Sequence, residues 1–175
     1  MYRTYIAVLT VATTVATTSA AVFADDNASE PMNRRIGTWV IKNYENKAAW
    51  TPEATTYTGV ETVKWVLDKK FIKGDVLNSD GRKGLWLMNY DLVAKVYRFW
   101  FFDSRYAIPR GNTVGRWNAK AKRMDWKTDL GNGVHGKMTF EHVDDDTSRW
   151  SLIAHDANGK LMLDMGGTLT RKKRK

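Results

Sequence analysis

The stretch IGTWV at residues 36–40 places a glycine and then a tryptophan at the start of an extended segment. The residues that follow, up to Tyr44, are largely β-branched or aromatic, which is typical of a strand. Glycine allows another part of the chain to approach the backbone closely, and a tryptophan side chain can fill one end of a barrel. The stretch therefore predicts the closed end of a β-barrel, with Trp39 as a structural plug and not as a ligand contact.

The rest of the chain contains similar short segments, separated by two to five residues with turn chemistry. Such short connections join antiparallel neighbours, and a meander of many strands removes its edges by closing. The sequence therefore predicts an all-β, antiparallel up-and-down barrel of about ten strands with little helix. The predicted strands are residues 36–44, 55–67, 70–77, 84–90, 95–103, 106–117, 122–129, 133–143, 147–156 and 160–171. Only residues 45–51 and the leader at 25–35 could hold a helical turn.

Strand alternation predicts which side chains point inward. In the last strand one face carries Leu161, Leu163, Met165, Gly167, Leu169 and Arg171. The first and last strands of a closed meander are neighbours, so Arg171 is expected over the Trp39 indole as a cation–π contact. Gly37, Trp39 and Arg171 are thus the predicted structural residues of the barrel end.

Gly37-x-Trp39, together with an arginine at the end of the last strand, resembles the signature of the lipocalin and calycin superfamily, whose barrels bind small, mostly apolar molecules. More narrowly, residues 37–171 are similar to a family of exported bacterial proteins catalogued as domain of unknown function 1579. The resemblance implies a calycin-like barrel and lends no catalytic residues. The motifs that carry it are Gly37-x-Trp39, Trp65-x-Leu67-Asp68-x-Lys70-Phe71, Asn89-Tyr90-Asp91, Tyr97-x-x-Trp100, Phe102-Asp103-Ser104, Gly115-Arg116-Trp117-Asn118 and Val143-Asp144-Asp145-Asp146-Thr147.

Residues 1–24 have the pattern of a secretory signal peptide. Arg3 is the only charge, an apolar Thr- and Ala-rich run follows, and residues 22–24 fit a cleavage site, with a second candidate at 19–21. The run is too short and too Thr-rich for a membrane span, so none is expected in the mature chain. We expect an exported protein, periplasmic or extracellular, with a flexible leader at 25–35, a single barrel domain at 36–171 and a basic tail at 172–175.

The chain contains no cysteine, which excludes disulfides, thiolate metal sites and a cysteine nucleophile. The formal net charge is +9, but residues 25–170 carry 22 basic and 19 acidic side chains, so most of the excess lies in the terminal run. No nucleic-acid-binding motif accompanies that run, and sequence-specific nucleic-acid binding is not expected. A terminal basic run is either a solvated end or a weak contact for anionic surfaces.

The interior of the barrel is the predicted location of a function. The eight tryptophans are spread over different strands, and they are either core or the lining of a ligand cavity. Arg98 is the candidate to orient a ligand, with Glu61 as its partner if it points inward; both faces of its strand are rich in apolar residues, so its direction stays open. The full set of predicted ligand-binding residues is Trp65, Arg98, Trp100, Trp126, Glu61, Met138 and Phe140.

No catalytic or metal constellation is found. Residues 131–136 formally match G-x-G-x-x-G, but a strand follows them where a dinucleotide site needs a helix. No metal site and no cofactor are predicted; haem held by His142 is the one alternative. Two functions follow. The first is a non-enzymatic carrier or sensor of a small apolar or amphipathic molecule. The second is a structural or surface protein whose tail meets anionic polymers or membranes. The chain is expected to be a monomer or a dimer.

Overall fold

The computed structural model describes residues 26–104 and 110–173. Within these ranges the chain forms one helix and ten strands. In chain order they are α1 (Asp26–Arg35), β1 (Gly37–Glu45), β2 (Thr55–Val66), β3 (Phe71–Asn78), β4 (Lys83–Asp91), β5 (Val96–Asp103), β6 (Arg110–Asn118), β7 (Arg123–Asp129), β8 (His135–His142), β9 (Thr147–His155) and β10 (Leu161–Arg171). Among the described residues, no helix is long and apolar enough to cross a membrane.

The ten strands form a closed antiparallel barrel in which each strand pairs with its neighbours in sequence, and β1 pairs with β10. The predicted up-and-down barrel is confirmed, and the observed strand ends lie close to the predicted ones. The exception is the start of the sixth strand, because predicted positions 106–109 lie outside the described residues. The predicted signal peptide at 1–24 and the last two residues of the tail lie outside them as well.

The contact between Trp39 and Arg171 is present at the closed end. Trp39 is fully buried and lies opposite Arg171 in the β1–β10 register. The guanidinium carbon of Arg171 is 4.2 Å from the centroid of the Trp39 ring. Gly37 has a φ of +134°, and a Cβ there would lie 2.6 Å from Arg171 Nη1. The glycine of the opening stretch is therefore required twice, by its backbone conformation and by the arginine beside it.

The leader expected to be flexible is instead helix α1, which closes the same end of the barrel. Met32 and Ala28 are buried, and the Tyr97 hydroxyl donates to the Ala28 carbonyl at 2.8 Å. The Trp39 indole N–H donates to the carbonyl of Arg35, the last residue of the helix, at 2.9 Å. The segment is polar, so its helical state depends on packing against the barrel and not on an apolar stripe visible in the sequence.

Candidate functional site

A cavity of about 350 Å³ occupies the interior of the barrel. Five of the eight tryptophans line it, together with other aromatic and aliphatic side chains. This volume lies in the range of small-molecule sites, which are mostly apolar with a few convergent polar groups. The apolar part of the lining includes Trp50, Trp86, Trp117, Trp126, Trp150, Ile41, Met88, Phe99, Phe101, Met124, Met138, Phe140 and Leu169.

Two of these tryptophans lie across glycines of the neighbouring strand. Gly74 is directly opposite Trp86, and Gly115 is directly opposite Trp126. A Cβ at either glycine would overlap the indole ring of its partner. The glycines therefore let the rings lie flat against the inner wall, which preserves open space along the barrel axis.

Helix α1 supplies one end of the cavity, which we call the floor, through Pro31 and Arg35. Arg35 Nη2 lies 2.6 Å from Glu61 Oε2, and these side chains are only 9% and 7% exposed. The other Glu61 oxygen, Oε1, accepts a hydrogen bond from Trp86 Nε1 at 2.7 Å. The floor is thus built on a buried ion pair whose carboxylate has a partner for each oxygen, as a charge removed from water requires.

Aromatic rings surround the Arg35 guanidinium. Its central carbon lies 4.2 Å from the centroid of the Phe140 ring and 5.2 Å from that of Trp86. Such contacts stabilise the positive charge but do not provide a conventional acceptor for each N–H. Two buried donors that belong to the cavity lining, Arg35 Nη1 and Trp117 Nε1, have no hydrogen-bond partner within the described part of the chain.

His142 lies beside this floor and is 5% exposed. Its Nδ1 is 3.0 Å from Ser148 Oγ, and its ring packs edge-on to Trp117 and Phe140, with centroid distances of 5.9 and 5.2 Å. Burial lowers the pKa of His142 to about 3, and the positive charges of Arg35 and Arg34 act in the same direction. The imidazole is therefore neutral near neutral pH, and Arg35 is the cation of the floor.

A second polar cluster lies further along the cavity wall, away from α1. Arg82 Nη1 is 3.7 Å from Glu45 Oε1, and the Arg82 guanidinium stacks 4.3 Å from the centroid of the Tyr57 ring. Burial, reinforced by the negative charge of Glu45, raises the pKa of Tyr57 to about 12. Asn43 Oδ1 accepts a hydrogen bond from Trp150 Nε1 at 3.1 Å. The lining therefore has two polar regions with apolar surface between them.

The structure brings four of the predicted ligand-binding residues to the cavity: Glu61, Trp126, Met138 and Phe140. Trp65 and Trp100 are not part of the lining. The Trp65 indole donates to Asn33 Oδ1 of α1 at 3.1 Å, and Trp100 packs on Phe71 with 6.2 Å between ring centroids.

Arg98 also lies outside the cavity, which corrects the expected pairing with Glu61. Its Nε is 2.9 Å from Asp91 Oδ2, and its side chain is 37% exposed. In β5 the residues at alternate positions, Phe99 and Phe101, line the interior instead. Glu61 is paired with Arg35 instead. Arg35 belongs to the segment for which the sequence predicts a flexible leader, so it was not among the predicted ligand-binding residues. The available signal was the position of this arginine two residues before Gly37-x-Trp39.

The fold is a closed, ten-stranded, calycin-like barrel with an interior cavity. It is similar to the crystal structure of Rv2717c from M. tuberculosis, with a TM-score of 0.60 and 12% identity over 84% of this chain and 98% of that one. It is also similar to the S-type phycobiliprotein lyase CPES from Guillardia theta, with a TM-score of 0.58 and 13% identity over 84% of this chain and 93% of that one. At these identities the likeness concerns the fold alone. No protein-family model matches the chain, and no curated protein matches it.

Proposed function

We propose that this protein binds a small apolar or amphipathic molecule inside the barrel. The observation that carries the proposal is the cavity of about 350 Å³ with its lining of tryptophan, phenylalanine and methionine side chains. Rings supply large, stiff apolar surfaces, and methionines adapt their shape to an occupant. Binding inside the barrel accounts for interior space that a purely structural barrel would fill with side chains.

The proposal has three further parts, of which the first two rest on the sequence and the third on contacts in the structure. The protein is exported to the periplasm or the extracellular space, because residues 1–24 have the pattern of a signal peptide. It belongs with the exported proteins catalogued as domain of unknown function 1579, on the motifs quoted above. It acts by binding and not by catalysis, since Glu61 is engaged by Arg35 and Trp86, and His142 is neutral and held by Ser148.

Binding to an anionic surface is the second candidate. The backbone N–H of Lys172 bonds to the carbonyl of Thr38, so the basic tail begins at the closed end of the barrel. The turns at residues 67–70, 92–95 and 119–122 lie at the same end, contain five lysines and expose Leu67 and Val93. Salt-sensitive sedimentation with phosphatidylglycerol vesicles, lost on truncation after Arg171, would support this function; equal sedimentation of the truncated chain would remove the role of the tail.

Haem held by His142 is the less favoured occupant, because the imidazole is buried and Trp117 and Phe140 pack against its edges. A haem titration followed at the Soret band tests it. A saturable red shift that is lost in His142→Ala would establish haem binding, and an unchanged free-haem spectrum would remove it.

The cavity itself is tested with a variant that fills it. Met138 lines the cavity, whereas Ile153, on the adjacent strand, is 44% exposed. We expect Met138→Trp to abolish the binding of decanol and of anilinonaphthalene sulfonate, measured by calorimetry and probe fluorescence. Ile153→Trp is the matched control and should bind as the unmodified protein does. Equal binding by both variants would place the ligand outside the barrel and contradict the proposal.

A further inference from the structure

We infer that the occupant carries an anionic oxygen head group, a carboxylate, and that this group binds at the cavity floor between Arg35 and Trp117. The inference rests on the proposed function and specifies its ligand class. It concerns the two buried donors that have no hydrogen-bond partner in the described part of the chain.

The first observation is the hydrogen bonding of Arg35. A guanidinium has five N–H donors and no acceptor. Nη2 is engaged by Glu61, whereas Nη1 is buried and has no partner among the described residues. Buried donors are nearly always satisfied, because an unmade hydrogen bond costs the whole desolvation free energy of the group. A group that enters the cavity with an oxygen acceptor would remove this cost.

The second observation concerns the indole N–H of Trp117, which lies at the same end of the cavity. Its indole Nε1 can only donate, and it is also buried without a partner in the described chain. Arg35 stacks on Phe140, Phe140 contacts His142, and His142 contacts Trp117. The two orphaned donors therefore flank one small cluster of rings at the floor.

The buried carboxylate at this end, Glu61, is already used. Glu61 Oε1 accepts a hydrogen bond from Trp86 Nε1, and Glu61 Oε2 accepts one from Arg35 Nη2. Arg35 Nη1 has no hydrogen bond to this carboxylate. The remaining orphan in the lining, Asn78 Oδ1, lies at the far end of β3. Among the described residues, the two donors at the floor, Arg35 Nη1 and Trp117 Nε1, therefore still lack an acceptor.

The charges beside His142 are mostly positive, and the carboxylate of Glu61 offsets them only in part. Four cations, Arg35, Arg34, Arg171 and Lys122, act on the neighbouring His142, where each disfavours a further positive charge. Asp145 and Asp146 lie outside the barrel wall, where they pair with Arg34 and Arg171 at 3.6 and 3.5 Å. An oxygen anion at the floor would form charge-assisted hydrogen bonds, which are shorter and stronger than neutral ones.

The rest of the cavity fits the apolar part of such a molecule. Phe101 and the methionines 88, 124 and 138 line the same cavity. Both orphaned nitrogens are covered by neighbouring atoms, so a head group reaches them by displacing side chains slightly. Methionine permits such adjustment, since its unbranched chain changes rotamer at little cost.

The test compares decanoate with decanol, which share a chain and differ in the head group. We expect the unmodified protein to bind decanoate about tenfold more tightly than decanol, as hydrogen bonds to a charged group imply. Trp117→Phe removes the N–H and keeps a ring, so it should weaken decanoate several-fold and decanol, whose hydroxyl is a weaker, neutral acceptor, by clearly less. Calorimetry measures both ligands, and circular dichroism checks that each variant is folded.

Arg35 is tested in the double variant Arg35→Met with Glu61→Met, which leaves no unpaired charge in the interior. We expect this variant to bind the two ligands equally. Arg98→Met removes a surface arginine from its Asp91 partner and is the matched control, with the tenfold preference retained.

The outcomes separate the two proposals. Equal binding of decanoate and decanol by the unmodified protein would overturn the head-group inference and leave interior binding in place. A Trp117→Phe variant that weakens both ligands to the same degree would also overturn it, because only packing would then have changed. If neither ligand nor the fluorescent probe binds the folded protein, the proposed function fails and the inference fails with it.

Discussion

Two arginines contact the same tryptophan, and their surroundings differ. The Arg171 guanidinium lies 4.2 Å from the centroid of Trp39, and its Nε, Nη1 and Nη2 donate to the carbonyls of Asp145, Ile36 and Arg34. The Arg35 guanidinium lies 5.8 Å from the same centroid and is more deeply buried, and its Nη1 has no hydrogen-bond partner among the residues that the structure describes. All three nitrogens of Arg171 therefore bond to backbone carbonyls, and this arginine stabilises the closed end of the barrel. Arg35 lines the interior and has an N–H group that can still donate to a ligand. This difference separates an arginine that stabilises the fold from the one that we infer to bind the ligand.

The largest effect is expected from removing the carboxylate that pairs with Arg35. Glu61→Ala leaves a buried guanidinium uncompensated and should lower the free energy of unfolding by about 3–5 kcal/mol. Urea denaturation measures the loss. Adding Arg35→Met to this variant should restore most of the stability, since no charge then remains to be paired.

The matched control for that prediction is Asp91→Ala, which breaks the exposed pair with Arg98. Exposed pairs contribute about 0–1 kcal/mol. Asp91 Oδ1 also accepts hydrogen bonds from the backbone amides of Val93 and Ala94, so we expect the control to lose about 1–2 kcal/mol, less than Glu61→Ala. Equal losses for Glu61→Ala and Asp91→Ala would show that the floor pair is no more important than a surface one.

Arg171→Met tests the structural arginine. It removes the cation over Trp39 and three donors to backbone carbonyls, and we expect a loss of about 2 kcal/mol in the free energy of unfolding. The affinity for an interior ligand, measured by calorimetry, should stay the same once the protein is folded. A large drop in affinity would blur the distinction between the two arginines.

Two glycines allow the same comparison through the backbone. Gly115→Ala drives a methyl group into the Trp126 ring inside the cavity, whereas Gly37→Ala drives one into Arg171 at the closed end. Each should cost about 1–2 kcal/mol in urea denaturation, as overpacking does. Only Gly115→Ala should also change ligand affinity and the intrinsic tryptophan emission; an identical ligand response in both variants would contradict this.

Near neutral pH the smallest effect is expected from His142, whose contribution to stability changes only as the pH falls below about 6.5. The pKa of His142 is about 3 when folded and near 6.5 in the unfolded chain, so the unfolded state binds the additional proton between these values. The contribution to stability is complete above pH 6.5 and is lost progressively as the pH falls toward 3. His142→Gln should flatten the fall in unfolding free energy across this window, whereas His135→Gln, at an exposed site, should not.

The sequence was sufficient for the barrel and for the contact between Trp39 and Arg171, because short turns and strand alternation fix neighbours and faces. It was insufficient for β5, where Phe99 and Phe101 on one face are matched by Trp100 and Phe102 on the other, so alternation gave no direction for Arg98. It was also insufficient for α1, whose helical state comes from contacts with the barrel. The orphaned donors could not be found from sequence, since they are defined by which partners the fold fails to supply.

Helix α1 has one further consequence, because it ends in the residue that forms the cavity floor. A molecule held by Arg35 is in contact with the helix as well as with the barrel, so occupancy and helix docking are thermodynamically linked. Ligand binding therefore stabilises the docked position of helix α1 on the barrel. Backbone amides of residues 28–35 should accordingly exchange hydrogen more slowly in the occupied protein, which makes helix α1 a reporter of what the barrel contains.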